Sequence, residues 1–245
     1  MIKFFRHIRK DLMEKNKTGK YFKYAIGEII LVVIGILIAL SINNWNEGQK
    51  SIKKGHEILV DVKENVVFNT MQFQKDIELN KNVINSLDIL INNITVTKIY
   101  NDSLDRHFRY ATWWATSRWK SSGYEALIFN GGDIIKSKIL RNAIIDLYEI
   151  SYPEIVENTR LNEGNWSSFF PSFLELIYRE PSDFSSVNQH KAKPFNYQEI
   201  IESRLYKSYL SFSRSQRFID IQMREYAIEK NTELIELIDE ELNTN

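Results

Sequence analysis

One uninterrupted apolar run stands near the start of the chain, and most of the remaining sequence repeats at helical spacing. The run, Ala25 to Ile42, reads AIGEIILVVIGILIALSI, with Glu28 and Ser41 as its only polar residues. At 1.5 Å rise per residue it covers about 27 Å, close to the hydrocarbon thickness of a bilayer. Tyr21, Phe22 and Tyr24 precede it and Trp45 follows it, where interfacial aromatic residues sit. The pattern predicts a transmembrane helix over residues 21–45. A buried core helix is the bland alternative, but such a helix is rarely apolar all round for this length. Ala39-Leu40-Ser41 offers small residues for signal-peptide cleavage, yet the stretch exceeds the usual signal-peptide core.

Residues 46–92 carry an apolar stripe, Val62, Val66, Phe73, Ile77, Ile84, Leu87 and Ile91, at spacings of three, four or seven. Asn69 and Asn80 fall on the same stripe. Ile94 to Thr97 reads as a short β-like segment, and Asp102 to Thr116 as a helix crowded with aromatics. Ser122 lies three residues before Glu125, a capping-box spacing, and that helix is expected to stop at Gly131-Gly132. Asp133 is expected to cap a helix over 134–150, and Pro153 to start or kink the next. Residues 181–194 read as a surface loop. Asn196 and Glu199 repeat the capping spacing before a long helix reaching Leu242. Its apolar positions, Leu205, Tyr209, Phe212, Ile219, Met223 and Tyr226, fit a four-three repeat interrupted by Gln216. The expected fold is all-α: one N-terminal transmembrane helix, then an extracytoplasmic antiparallel helical bundle over 46–245 with long first and last helices.

Charge adds an orientation. The formal net charge is zero, but residues 1–24 hold eight Lys/Arg against two acids, and residues 43–245 hold 24 against 29. The positive-inside rule therefore makes residues 1–20 a cytoplasmic basic segment and puts 46–245 on the far side. Phe5, Ile8 and Leu12 share one helical face with Arg6, Arg9 and Lys10 around it. That segment reads either as an amphipathic helix on an anionic leaflet or as a basic tail that only sets topology. The chain has no Cys, which excludes disulfides, thiol catalysis and Cys-ligated metals.

The block KTGKYFKYAIGEIILVVIGILIALSINNWNE (17–47) resembles a family of single-span proteins from Bacteroidota, a domain of unknown function numbered 6090. SSGYEALIFNGGDIIKSKILRNAIIDLYE (121–149) is similar to that family's midsection. The resemblance implies a single-pass inner-membrane protein with a helical periplasmic domain, and it carries no activity over to this chain.

Candidate chemistry is sparse. His56-Glu57 begins like HExxH, but Val60 replaces the second ligand. No GxSxG, P-loop or GxGxxG occurs, so neither an enzyme activity nor a cofactor is expected. Two groups stand out. Arg106, Arg109, Tyr110, Trp113, Trp114 and Trp119 form an aromatic and basic cluster, suited to a carbohydrate or small anion, or equally to a bundle core edged by Arg. Nucleic acid is not expected, given the acidic balance of the domain. Within the span, Glu28, Gly35 and Ala39 share a face where small residues allow close helix approach. The expected partners are the lipid bilayer and a second copy or another membrane protein. An unpartnered interfacial Glu28 is the alternative.

Overall fold

The computed structural model describes residues 18–116, 118–179 and 191–244. The basic amphipathic segment of residues 5–12 and most of the expected loop, residues 181–190, lie outside them. The architecture is all-α, with long first and last helices and a two-stranded antiparallel ribbon. The helices are α1 (Thr18–Asn92), α2 (Asp105–Tyr110), α3 (Ser122–Asn130), α4 (Lys138–Asp146), α5 (Tyr152–Leu176), α6 (Tyr197–Glu202) and α7 (Arg204–Thr244). The ribbon pairs β1 (Ile177–Arg179) with β2 (Ala192–Pro194). By compactness the chain divides after Lys54.

In the first unit, α1 is long and apolar enough to cross a membrane, and none of its most apolar window is buried. Every large apolar side chain from Ile26 to Trp45 is about half exposed. In water such a surface would be strongly unfavourable.

The second unit, from Gly55, is built on an antiparallel pair. Cross-helix partners descend along α7 as they ascend along α1: Lys63 with Asp239, Asn231 with Thr70, Arg224 with Asp76, Asn80 with Asp220, and Arg214 with Asp88. One row of buried positions along α1 keeps a four-three spacing, Gly55, Leu59, Val62, Val66, Asn69, Phe73, Asp76, Asn80, Val83, Leu87 and Leu90, with Ile58, Asn65, Ile77 and Ser86 buried beside it. A row along α7 does the same, Tyr206, Leu210, Ser213, Arg217, Asp220, Arg224, Ala227, Asn231, Leu234 and Ile238, with Ile221 buried beside it. This is the seam expected of packed, slightly underwound helices.

That seam corrects the expected phase of the last helix by one residue. Leu205, Phe212, Ile219 and Tyr226 are all 42% or more exposed, while the inward stripe next to them is polar at its centre. Tyr209 and Met223 of the expected row do pack against the cores, but the rest of that row faces outward because the buried row beside it carries charges there.

Two apolar cores flank the polar stretch. One gathers Ile58 to Phe73, Leu127, Leu140, Ile144, Tyr152 and Ala227 to Ile238. The other gathers Val83 to Ile94, Phe108, Phe173, Ile177, Tyr206 and Leu210.

Several local expectations shift for identifiable reasons. Residues 93–97 form a π turn, not a β segment: Lys98, in the left-handed region, donates its N–H to Asn93 O (2.6 Å) and Ile94 stays buried in the core. The helix expected over 102–116 stops at Tyr110, where Thr112 donates its hydroxyl to Arg109 O (2.8 Å). Ser122 is the first residue of α3 rather than its cap, and its hydroxyl donates to Asn65 on α1 (3.1 Å). Asn65 also accepts from Gly123 N (2.9 Å), so a side chain of another helix satisfies this helix start. Gly123 permits the approach, since a Cβ there would lie 2.5 Å from Val62 N. Asp133 pairs with Arg141, and Ser137 caps α4 instead. A π turn over Leu147–Ser151 joins α4 to α5, with Pro153 in the first turn of α5. Residues 192–194, expected in a loop, are β2. Asn196 caps α6 as its spacing suggests, and Ser203 breaks the expected single last helix in two by accepting from Tyr206 N (3.1 Å).

Candidate functional site

Two sites in the second unit join groups with chemical capacity. The first is the polar centre of the α1–α7 seam. Arg224 has no exposed surface and lies between two carboxylates, with Nε 3.3 Å from Asp76 and Nη1 paired to Asp220. Asp220 also accepts from Asn80 (2.6 Å) and from Asn158 of α5 (3.0 Å). Further along α1, Asn69 accepts from Lys120 N (2.7 Å) and donates to Lys120 O (3.0 Å). Tyr152 OH donates to Asn231 (2.8 Å), and Asn231 donates to Thr70 (2.8 Å). Burial, above all, pushes the Tyr152 hydroxyl well above the ordinary phenol range. These bonds tie three helices in register, and of these groups only Asn80 Oδ1 is buried without a hydrogen-bond partner.

The second site is a cavity of about 520 Å³ between α1 and α2. Leu79, Asn82, Asn85 and Ser86 line it from α1, and Arg106, His107, Tyr110 and Trp113 from α2 and the chain just beyond it. Asn101 sets the entry to α2 by accepting from Ser103 N (3.0 Å). At the exit, Trp113 N donates to Tyr110 O (2.9 Å), and Arg217 Nε donates to Trp113 O (3.1 Å), which anchors the wall to α7. Tyr110 and Trp113 pack together with ring centres 4.9 Å apart.

Arg106 Nε donates to His107 Nε2 (3.2 Å), so His107 carries its proton on Nδ1, which faces the Ser86 hydroxyl at 3.1 Å. Burial first, and the Arg106 charge second, hold His107 below its ordinary value of 6.5. The imidazole is therefore neutral near pH 7, and its basic nitrogen is already occupied. Ser86 and His107 do not form a nucleophile–base pair in this arrangement. Among the described residues no group of three or more His, Asp or Glu side chains is placed to hold a metal.

The aromatic and basic cluster expected from the sequence is thus divided. Arg106, Tyr110 and Trp113 meet at the cavity. Arg109 is half-buried and is not one of its lining residues. Trp114 turns to Trp166 (6.1 Å) beside a second cavity of about 280 Å³. Trp119 packs on Tyr152 (5.4 Å), in the other apolar core. Sequence reasoning missed the α1 wall. Asn82 and Ser86 are four residues apart on a helix face, which is the only signal they carried. It also missed Asp76, Asp220 and Arg224, which no motif or spacing singled out.

In the first unit, Gly35 and Ala39 are exposed, Glu28 is half-exposed, and a Cβ at Gly35 would meet nothing within 4 Å. That row of α1 is open to close approach.

No curated protein and no solved structure matches this chain. Residues 28–172, which begin inside the apolar run and end in α5, match the family described as "Family of unknown function (DUF6090)". With that match extending over more than half of its length, the chain belongs to this family of unknown function.

Proposed function

We propose that this chain is a non-enzymatic, single-pass, membrane-anchored interaction protein of the bacterial inner membrane. In this reading residues 1–20 are cytoplasmic, 21–45 cross the bilayer, and 46–245 form the periplasmic helical domain. The observation that carries it is the apolar, wholly unburied stretch of α1 from Ile26 to Trp45, preceded by eight Lys/Arg before residue 25. Exposed Ile, Leu and Val at this density suit acyl chains, and the basic flank suits the cytoplasmic side. The resemblance to single-span proteins of Bacteroidota supports the same compartment.

The anchor offers a partner face as well. Lipid is as apolar as Ile, so helix association in a bilayer depends on close packing and hydrogen bonds, which Gly35, Ala39 and Glu28 supply together. A second copy or another membrane protein is the partner proposed for it. A second reading, ligand sensing through such a partner, is favoured by the cavity between α1 and α2.

A reporter active only in the cytoplasm tests the topology. Fused after Asn245 it should be silent, and fused at the N-terminus it should be active; the reverse pattern overturns the orientation. In a membrane two-hybrid assay, Gly35→Ile should lower self-association more than Glu28→Leu, because a branched side chain blocks approach while one membrane hydrogen bond contributes about 0.6 kcal/mol. A signal no higher than that of a monomeric control span removes the partner face.

A further inference from the structure

We propose that the cavity between α1 and α2 binds an acidic sugar, a uronate unit, with its carboxylate on Arg106, its ring face on Tyr110 and Trp113, and its hydroxyls on Asn82 and Asn85. This rests on the ligand-sensing reading of the same cavity and names the ligand class.

Charge comes first. Of the eight lining residues none is acidic, and Arg106 is the single cation with a permanent charge. Its Nε is engaged by His107, and the two terminal nitrogens of the guanidinium have no carboxylate partner among the described residues. Elsewhere in the unit Lys63, Arg141, Arg214 and Arg224 are each paired with an acid. With Nε engaged by His107, the terminal nitrogens are left as the donors for a carboxylate.

The walls choose among anions. A bare phosphate would leave the Tyr110–Trp113 pair uncovered, whereas the pair offers a broad apolar face to a flat ring. An aromatic carboxylate would cover that face but displace water from Asn82, Asn85 and Ser86 without replacing its hydrogen bonds, which is unfavourable. A sugar ring has both an apolar face and vicinal hydroxyls. Asn82 and Asn85, three apart on α1 and exposed, each bring one acceptor and two donors for those hydroxyls. The volume of about 520 Å³ lies within the range of small-molecule sites and admits a disaccharide.

The test uses the full chain in detergent, with digalacturonate as the probe and maltose, benzoate and inorganic phosphate as comparisons. Digalacturonate, at about a hundredfold excess over its Kd, should raise the thermal midpoint by several degrees and change Trp fluorescence. Maltose, benzoate and phosphate should do neither at the same concentration. Arg106→Gln should keep the unliganded midpoint and lose the digalacturonate response at least tenfold in Kd, and Trp113→Leu should lose the fluorescence change. An equal response to maltose refutes the carboxylate, and an equal response to benzoate or phosphate refutes the sugar. Either outcome overturns the proposal while leaving a ligand-binding cavity. No response to any of the four overturns the proposal and removes the support this cavity lends to sensing. An unchanged digalacturonate Kd in Arg106→Gln overturns it as well.

Discussion

Helix α1 holds two stretches that invert each other. From Ile26 to Trp45 it shows apolar side chains on every side. From Gly55 to Leu90 it buries Asn65, Asn69, Asp76, Asn80 and Ser86, while Val60, Val67 and Met71 are exposed. The same backbone geometry carries two kinds of surface. In the first stretch the helix satisfies its own amides and its apolar side chains are compatible with a membrane anchor. In the second, apolar cores at both ends drive association, and the polar centre decides which alignment of the long helices is allowed. Sliding α7 along α1 by one heptad would separate Arg224 from Asp76 and Asn80 from Asp220. A buried polar layer that fixes register need not add net stability, because desolvation offsets much of the ion-pair attraction.

The largest effect expected from this contrast is that of Arg224→Met. It leaves Asp76 and Asp220 buried without their cation, and should cost about 3–5 kcal/mol in chemical denaturation. Adding Asp76→Leu and Asp220→Leu should recover a large part of that loss, since the stranded charges are gone. A triple variant as unstable as Arg224→Met alone would show that the charges are not what the seam depends on.

Two glycines sharpen the contrast at the next level. Gly123→Ala drives a Cβ into the Asp61–Val62 backbone and should cost about 1–3 kcal/mol, read as a lower thermal midpoint. Gly35→Ala meets nothing within 4 Å and should leave that midpoint unchanged. If the two variants unfold alike, the close docking of α3 on α1 is not a determinant of the fold.

The smallest effect is a pH dependence. His107 has a folded value held below 6.5, so between the two values the unfolded chain binds more protons than the folded one. The His107 contribution to stability is complete above pH 6.5 and is lost as pH falls through the lower folded value. Denaturation midpoints of wild type and His107→Gln, measured from pH 7.5 to 5, should converge as the pH drops. Parallel curves would mean that the imidazole is no less basic in the folded protein.

Much of the fold was legible in the sequence. A run of apolar residues from Ala25 to Ile42 marks a bilayer-compatible helix in any context, because it depends only on local composition and length. The two long helices and the glycine stop at Gly131 were equally readable, since helical spacing and positive φ are local properties. The helix row that faces inward is not local. Periodicity selects the most apolar row, and in α7 the buried row carries Ser213, Arg217, Asp220 and Arg224, which are tolerated only because α1 and α5 bring Asp76, Asn80 and Asn158 to meet them. The candidate site divides along the same line. Arg106, Tyr110 and Trp113 were visible as neighbours in sequence, while Asn82 and Ser86 join them only because α2 packs against α1. Trp114 and Trp119 left the cluster because the chain stops being helical at Tyr110. Local chemistry thus decided which segments are helical and which one suits lipid. The tertiary structure decided which polar groups are inside, because a buried charge is stable only beside a partner that the chain supplies from far away.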